Sequence, residues 1–392
     1  MINIYDRHNC CGCSACVQSC PQQCMSFYED SKGFRYPLAN KELCIDCGLC
    51  EKVCPMLNRN KAVEPQFVCA AMNPSEEVRL KSSSGGLFTM LAGRTLSEKG
   101  VVFGARFNDK WEVVHDYVDG SASIDSPLSA LSVFRGAKYS QSIIGESYKQ
   151  TRDFLENDKK VLFSGTGCQI AGLKLFLRKE YENLTTVEIA CHGVPSPKVW
   201  KEYVKKVSGG QPLTSIVFRD KRNGWNGYGL SFVGADGKEI KYEKASNNDF
   251  MRCFLNDLCV RPSCSNCPAK AGASGADILI GDFWGIDRMH PEMHDNKGCS
   301  LVIAHTAKGK RLFKSLGAKY LETTHEEAYR YNPCIVNSSQ ESRYAPIFWY
   351  YFGKYGIEAA PKTLELLRNN KIRRILALIY YKYIKGRFFH TI

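Results

Sequence analysis

Nowhere in the 392 residues does an apolar run approach the roughly 20 residues needed to cross a bilayer, so the sequence offers no transmembrane helix. The dinucleotide fingerprint G-x-G-x-x-G is missing too. Gly165, Gly167 and Gly172 follow an apolar stretch but miss its spacing, and no acidic residue stands clearly at the ribose position, which excludes a Rossmann NAD site. No nucleic-acid motif accompanies the net charge of +13, so nucleic acid is not an expected partner. Met1-Ile2-Asn3-Ile4-Tyr5 leads almost at once into cysteines, with no secretory signal between, and a cytoplasmic protein is expected. A hydrophobic content of 44% with 24% charged residues is that of ordinary globular chains, and the length suits two or three domains.

Cysteine, in contrast, is abundant. Its 19 copies cluster in metal-ligand spacing, which argues against a disulfide framework and for a reducing compartment. The run from Cys10 to Pro21 and the run from Cys44 to Pro55 both read C-x2-C-x2-C-x3-C-P. Three thiolates two residues apart can wrap one face of an iron–sulfur cube, and the fourth usually reaches across to the other cube. Cys10, Cys13, Cys16 and Cys54 are therefore expected to hold one [4Fe–4S] cluster, and Cys44, Cys47, Cys50 and Cys20 a second. The alternative is a pair of structural zinc sites, which need neither the third evenly spaced cysteine nor the proline. Cys11 and Cys24 fall outside the ligand register. Residues 1–57 thus look like a bacterial-type two-cluster ferredoxin domain, and the polar stretch ending at Pro65 reads as a linker.

Beyond it, strand candidates alternate with helix candidates, the pattern of a mixed α/β domain over 66–345. Ser82-Ser83-Ser84-Gly85-Gly86 precedes an apolar periodic run, either an ordinary N-cap or a cradle for a phosphate. The strand candidate Val161–Ser164 enters a loop holding Thr166 and Cys168, and a second strand ends at Cys191. Cys264-x2-Cys267-Pro268 is half of a further metal site. Pairing it with Cys168 and Cys191 would make a third [4Fe–4S] cluster. Pairing it with Cys253 and Cys259 would make a local site. The long-range set is preferred, because loops at strand ends converge and it uses two otherwise idle thiols. Arg219, Lys221 and Arg222 beside Trp225 and Tyr228 suit either a phosphorylated planar cofactor or a solvated hairpin, and Asp277 and Asp282 either cofactor hydroxyls or turn caps. No residue stands out as a proton donor; His192 is next to a proposed ligand.

Residues 361–392 hold eight Lys or Arg against one Glu. Ile372, Ile375, Leu376 and Ile379 fall on one helical stripe, so 346–392 reads as a basic helical tail that could lie on anionic lipid at the membrane's inner face, on the body, or on a partner.

In the order of these pieces the chain resembles the coenzyme F420 hydrogenase/dehydrogenase beta-subunit family. The resemblance rests on the two cysteine runs, Ser84-Gly85-Gly86, Lys138-Tyr139-Ser140-Gln141-Ser142, Gly165-Thr166-Gly167-Cys168-Gln169, the stretch Arg261 to Cys267, and the stretch Asp277 to Gly285. It departs at Gly167, where the family commonly shows proline. The resemblance implies FAD in the α/β core, with Ser83, Ser84, Gly85, Gly86, Lys138, Tyr139, Gln141, Ser142 and Thr166 as its contacts, and it supports the cluster on Cys168, Cys191, Cys264 and Cys267. It implies an oxidoreductase in which clusters link a ferredoxin or other redox protein to FAD, which exchanges a hydride with a small molecule such as coenzyme F420. The alternative is a relay subunit of a larger complex, linked to surface-polysaccharide synthesis, with no F420 activity of its own.

Overall fold

The computed structural model describes residues 2–122 and 126–368. The stripe from Ile372 onward lies outside them. Among the described residues no helix is long and apolar enough to cross a membrane.

The N-terminal unit is built on an internal repeat. Each cysteine run curls through two left-handed residues, Gly12 and Ser14 in the first and Asp46 and Gly48 in the second, at matching positions. Each then enters a one-turn helix, α1 (Ala15–Gln18) or α2 (Leu49–Lys52). Between the runs lies an antiparallel hairpin of β1 (Met25–Glu29) and β2 (Arg35–Ala39).

The body is organised by an eight-stranded mixed sheet. Its first strands are β3 (Phe67–Met72), β4 (Val101–Phe107), β5 (Val113–Asp119), β6 (Val161–Thr166) and β7 (Leu184–Ile189). A separate three-stranded antiparallel sheet follows, β8 (Leu213–Asp220), β9 (Gly229–Gly234) and β10 (Glu239–Lys244). The chain then returns with β11 (Ile278–Asp282), β12 (Ser300–Ala304) and β13 (Lys319–Glu322), giving the order β13-β3-β12-β11-β7-β6-β4-β5. The centre, β11-β7-β6-β4, is parallel; β11, β6 and β4 each open on three buried apolar residues, as strands covered on both faces do, whereas β7 carries Thr185, Thr186 and Glu188.

The helices that position the site are α3 (Leu87–Ser97), after β3, and α4 (Gly167–Leu177), which leaves the end of β6 directly. Thr166 and Gln169 close a capping box on α4, so the loop at Gly167 is tight. A Cβ on Gly167 would stand 2.6 Å from the Glu188 carboxylate, which accounts for the small residue there.

The stretch expected as a tail begins inside the body. Helices α5 (Pro197–Ser208) and α6 (Asp249–Leu255) pack with the three-stranded sheet, and α7 (Ala345–Tyr355) and α8 (Ala359–Arg368) join them. Phe348, Phe352 and Leu364 are buried with Trp200, Phe218 and Phe250 in one aromatic core. Charge counting over 361–392 passed over the apolar segment Ile347-Phe348-Trp349, which is what docks.

Candidate functional site

Three pits are each lined by one of the expected cysteine sets. Cys20, Cys44, Cys47 and Cys50 line the outermost, with Cys24 beside them and its Sγ 3.4 Å from that of Cys20. Cys10, Cys13, Cys16 and Cys54 line the second. Cys168, Cys191, Cys264 and Cys267 line the third, at the carboxyl ends of β6 and β7. The alternative partners Cys253 and Cys259 lie instead in the aromatic core, fully buried and away from that pit. All 19 cysteines are unbridged.

The donor chemistry fits iron–sulfur clusters. Burial pushes the Cys264 thiol up to about 12 and the Cys267 thiol up to about 11, so thiolates there need a bound cation. Among the described residues no three Cys, His, Asp or Glu side chains converge on a point that suits a single ion. A four-iron cube spreads its thiolates wider than one zinc with bonds of about 2.3 Å.

The second and third pits are neighbours through a shared wall. Cys11, outside the ligand register, lines both the second and the third. Helix α4 separates them by one turn. Cys168 faces the third pit, and four residues on, a Cβ at Gly172 would stand 2.9 Å from the Cys13 sulfur. One helical turn is about 5.4 Å of rise.

Thr166 and Val194 line both the third pit and a cavity of about 280 Å³ at the carboxyl ends of β6, β7 and β11, where open α/β sheets bind ligands. Ser83, Ser84 and Gly86, at the start of α3, form one wall, and Lys138, Tyr139, Ser142 and Thr166 also contribute. Two buried hydroxyls of this lining, Ser83 Oγ and Thr89 Oγ1, have no hydrogen-bond partner among the described residues. Gly85 is packed so closely that a Cβ would meet Ala71 O at 2.5 Å and Ser300 N at 2.7 Å. The loop is locked from outside: Ser84 Oγ donates to Cys299 O at 2.8 Å, and Lys221 Nζ donates to Arg79 O, Ser84 O and Lys297 O. Unpaired hydroxyls and N-terminal amides at the head of an eleven-residue helix fit a phosphate-bearing cofactor.

Several expected contacts take other roles. Gln141 faces away from this cavity: its Nε2 donates to Cys11 O at 2.9 Å and its Oε1 accepts from Arg261. The Lys138 ammonium is turned onto the carbonyls of Phe134, Arg135 and Gly136. Asp277 caps Thr186 and Thr306. Asp282 lines the cavity but accepts from Arg219 Nη1 at 3.0 Å, Nη2 at 3.2 Å and Trp225 Nε1 at 3.0 Å. Arg222 pairs with Asp220 and Glu239 at the surface. His192 pairs with Asp257.

Sequence reasoning missed His115. It lines the cavity, with Nδ1 2.9 Å from Ser142 Oγ and Nε2 3.0 Å from Ser164 O, so a neutral ring donates to the carbonyl and accepts from the serine. Burial pulls its imidazole down to about 4. The unfolded chain, with a histidine near 6.5, takes up the proton first as the pH falls. The contribution of neutral His115 is therefore complete above pH 6.5 and lost between 6.5 and 4, about 2 kcal/mol of it by pH 5. Thermal unfolding at pH 7 and pH 5 should show a smaller difference in H115N than in the parent; an equal difference assigns the acid sensitivity elsewhere.

A second cleft, of about 550 Å³, opens between the N-terminal unit and the body. It shares Val113, Ser140 and Ser142 with the first cavity, and Arg35, Lys110 and Lys201 stand around it.

Residues 158–328 match the family model for the C-terminal part of the coenzyme F420 hydrogenase/dehydrogenase beta chain, and residues 9–57 match the 4Fe-4S dicluster domain. A solved chain from the xenon-derivatised F420-reducing [NiFe] hydrogenase complex of Methanosarcina barkeri is similar at 16% identity and a TM-score of 0.46, over 78% of this chain and 92% of that one. No curated protein matches.

Proposed function

The chain belongs to the coenzyme F420 hydrogenase/dehydrogenase beta-subunit family, with a 4Fe-4S dicluster domain in front, and from that premise we propose that it is an iron–sulfur flavoprotein oxidoreductase. One observation carries the reading: of three cysteine-lined pits, the second shares Cys11 with the third, and the third shares Thr166 and Val194 with the cavity walled by the Ser83–Gly86 loop.

Cys20, Cys44, Cys47 and Cys50 would hold the outermost [4Fe–4S] cluster, Cys10, Cys13, Cys16 and Cys54 the second, and Cys168, Cys191, Cys264 and Cys267 the third. FAD would take the cavity, its diphosphate at Ser83, Ser84 and the head of α3. Bound there, a flavin supplies exchange of single electrons with clusters and of a hydride with an organic molecule. The protein's own part is to hold and insulate. Lys221 fixes the serine loop, and His115 fixes Ser142. Residues of α4 keep the second and third sites one turn apart.

A one-electron partner such as a ferredoxin would dock at the outermost cluster. Cys47 is exposed there, close in sequence to Leu43 and Ile45, each more than half exposed. The organic molecule, of the deazaflavin type, would reach the flavin from the second cleft, which meets the cavity at Val113, Ser140 and Ser142.

Anaerobic reconstitution tests this. About twelve irons and one FAD per chain, with the flavin bleached by a reduced one-electron donor, is the expected result. Iron without flavin would reduce the protein to a relay.

A further inference from the structure

Arg261 occupies the seam between the second and third pits, and its charge has no counter-charge among the described residues. It is 1% exposed. Its Nε donates to Cys10 O at 2.7 Å, Nη1 to Gln141 Oε1 at 2.9 Å and Nη2 to Arg35 O at 2.8 Å. The same Nη2 lies 3.5 Å from Cys10 Sγ. The rings of Phe34 and Tyr36 stand 5.4 and 4.4 Å from the guanidinium carbon. The side chain lines the third pit beside Cys264, and Gly12 makes room for it, since a Cβ there would come 3.0 Å from the guanidinium. Among the described residues no carboxylate pairs with it.

A buried guanidinium without an anion is costly. Its fork is satisfied by neutral oxygens, so the missing anion must come from something that the thiols hold. A cube of four irons on four thiolates carries net negative charge and gains one more on reduction. We propose that Arg261 is the positioning residue that sets the reduction potential of the cluster on Cys10, Cys13, Cys16 and Cys54. It favours the reduced state through the Nη2–H···S contact and its charge. When that cluster takes one electron from its donor, the added negative charge is met by the fixed guanidinium, and no proton is required. This rests on the three-cluster reading above and goes beyond it by naming what tunes the middle site.

The test is an EPR-monitored potentiometric titration of the anaerobic holoprotein with dithionite, in the parent, R261Q and R261K. R261Q should keep its iron while the oxidised-to-reduced ratio of one cluster at fixed potential rises about tenfold, about 59 mV for one electron. R261K, which keeps the charge, should recover most of the shift. The outermost cluster should not move. An unshifted R261Q with full iron overturns the proposal and leaves the three clusters standing; a parent protein without cluster signals overturns the reading beneath it. If R261Q assembles without iron, the parent labelled with 15N-arginine decides. A nitrogen coupling to the reduced cluster in pulsed EPR supports the contact, and its absence refutes the proposal.

Discussion

Replacing Cys264 and Cys267 together with serine should remove about four of roughly twelve irons and leave about eight. The two residues sit on a short turn after Arg261, and with Cys168 and Cys191 they line a pit separate from both N-terminal ones. No residue of the two ferredoxin-type sets lines it, so the loss should be confined to one cluster. Iron and sulfide analysis with EPR spin counting reads the result. Unchanged iron would remove the third cluster from the scheme. Loss of all iron would mean that the sites assemble as one unit, which separate pits do not predict.

The second large effect concerns Asp282. Its carboxylate is the acid partner of Arg219, whose side chain is 2% exposed, and it also holds the Trp225 indole. Arg219 lies 3.8 Å from the Tyr228 ring, and Trp225 stacks on Trp284 at 4.9 Å. D282A strands a buried guanidinium, which costs about 3–5 kcal/mol. The loss should appear as a lower unfolding midpoint and, on the flavin reading proposed above, as weaker FAD retention, because Asp282 also lines the cavity. The double variant D282L/R219M, which removes both charges, should be more stable than D282A alone. A D282A protein as stable as the parent would show that water reaches Arg219.

The parts of this architecture written as spacing were legible in the sequence. The cysteine runs encode their own curl, since each left-handed position falls at a fixed offset between ligands, and Gly12 and Gly48 announce two of the four. Ser14 and Asp46 give less warning. The parallel strands β4, β6 and β11 were legible from the apolar residues that open them, β7 with its two threonines and glutamate less so, and the heads of α3 and α4 from the glycines and serines before them. The third set was harder, because Cys168, Cys191 and the Cys264–Cys267 pair meet only when three separate chain segments reach one sheet edge. Gln141 shows the limit. Its loop lines the cavity through Ser140 and Ser142, and alternation along extended backbone turns Gln141 to the other side, onto Cys11 and Arg261. Arg261 was visible only as part of a motif. Nothing in its neighbours says that it would lie against Cys10, 251 positions away. His115 carries no local signal, since one histidine in an alternating strand reads like any other half-buried residue.

The central claim is that electrons pass between the N-terminal clusters and the flavin by way of the cluster on Cys168, Cys191, Cys264 and Cys267. The most direct measurement mixes a reduced one-electron donor with the anaerobic holoprotein and follows flavin absorbance by stopped flow, with freeze-quench EPR of the clusters, in the parent and in C264S/C267S. The N-terminal clusters should be reduced in both, and flavin bleaching in the variant should fall well below the parental rate, since the path loses the cluster next to the flavin while FAD stays bound. Bleaching at the parental rate in a variant lacking those four irons would contradict the claim.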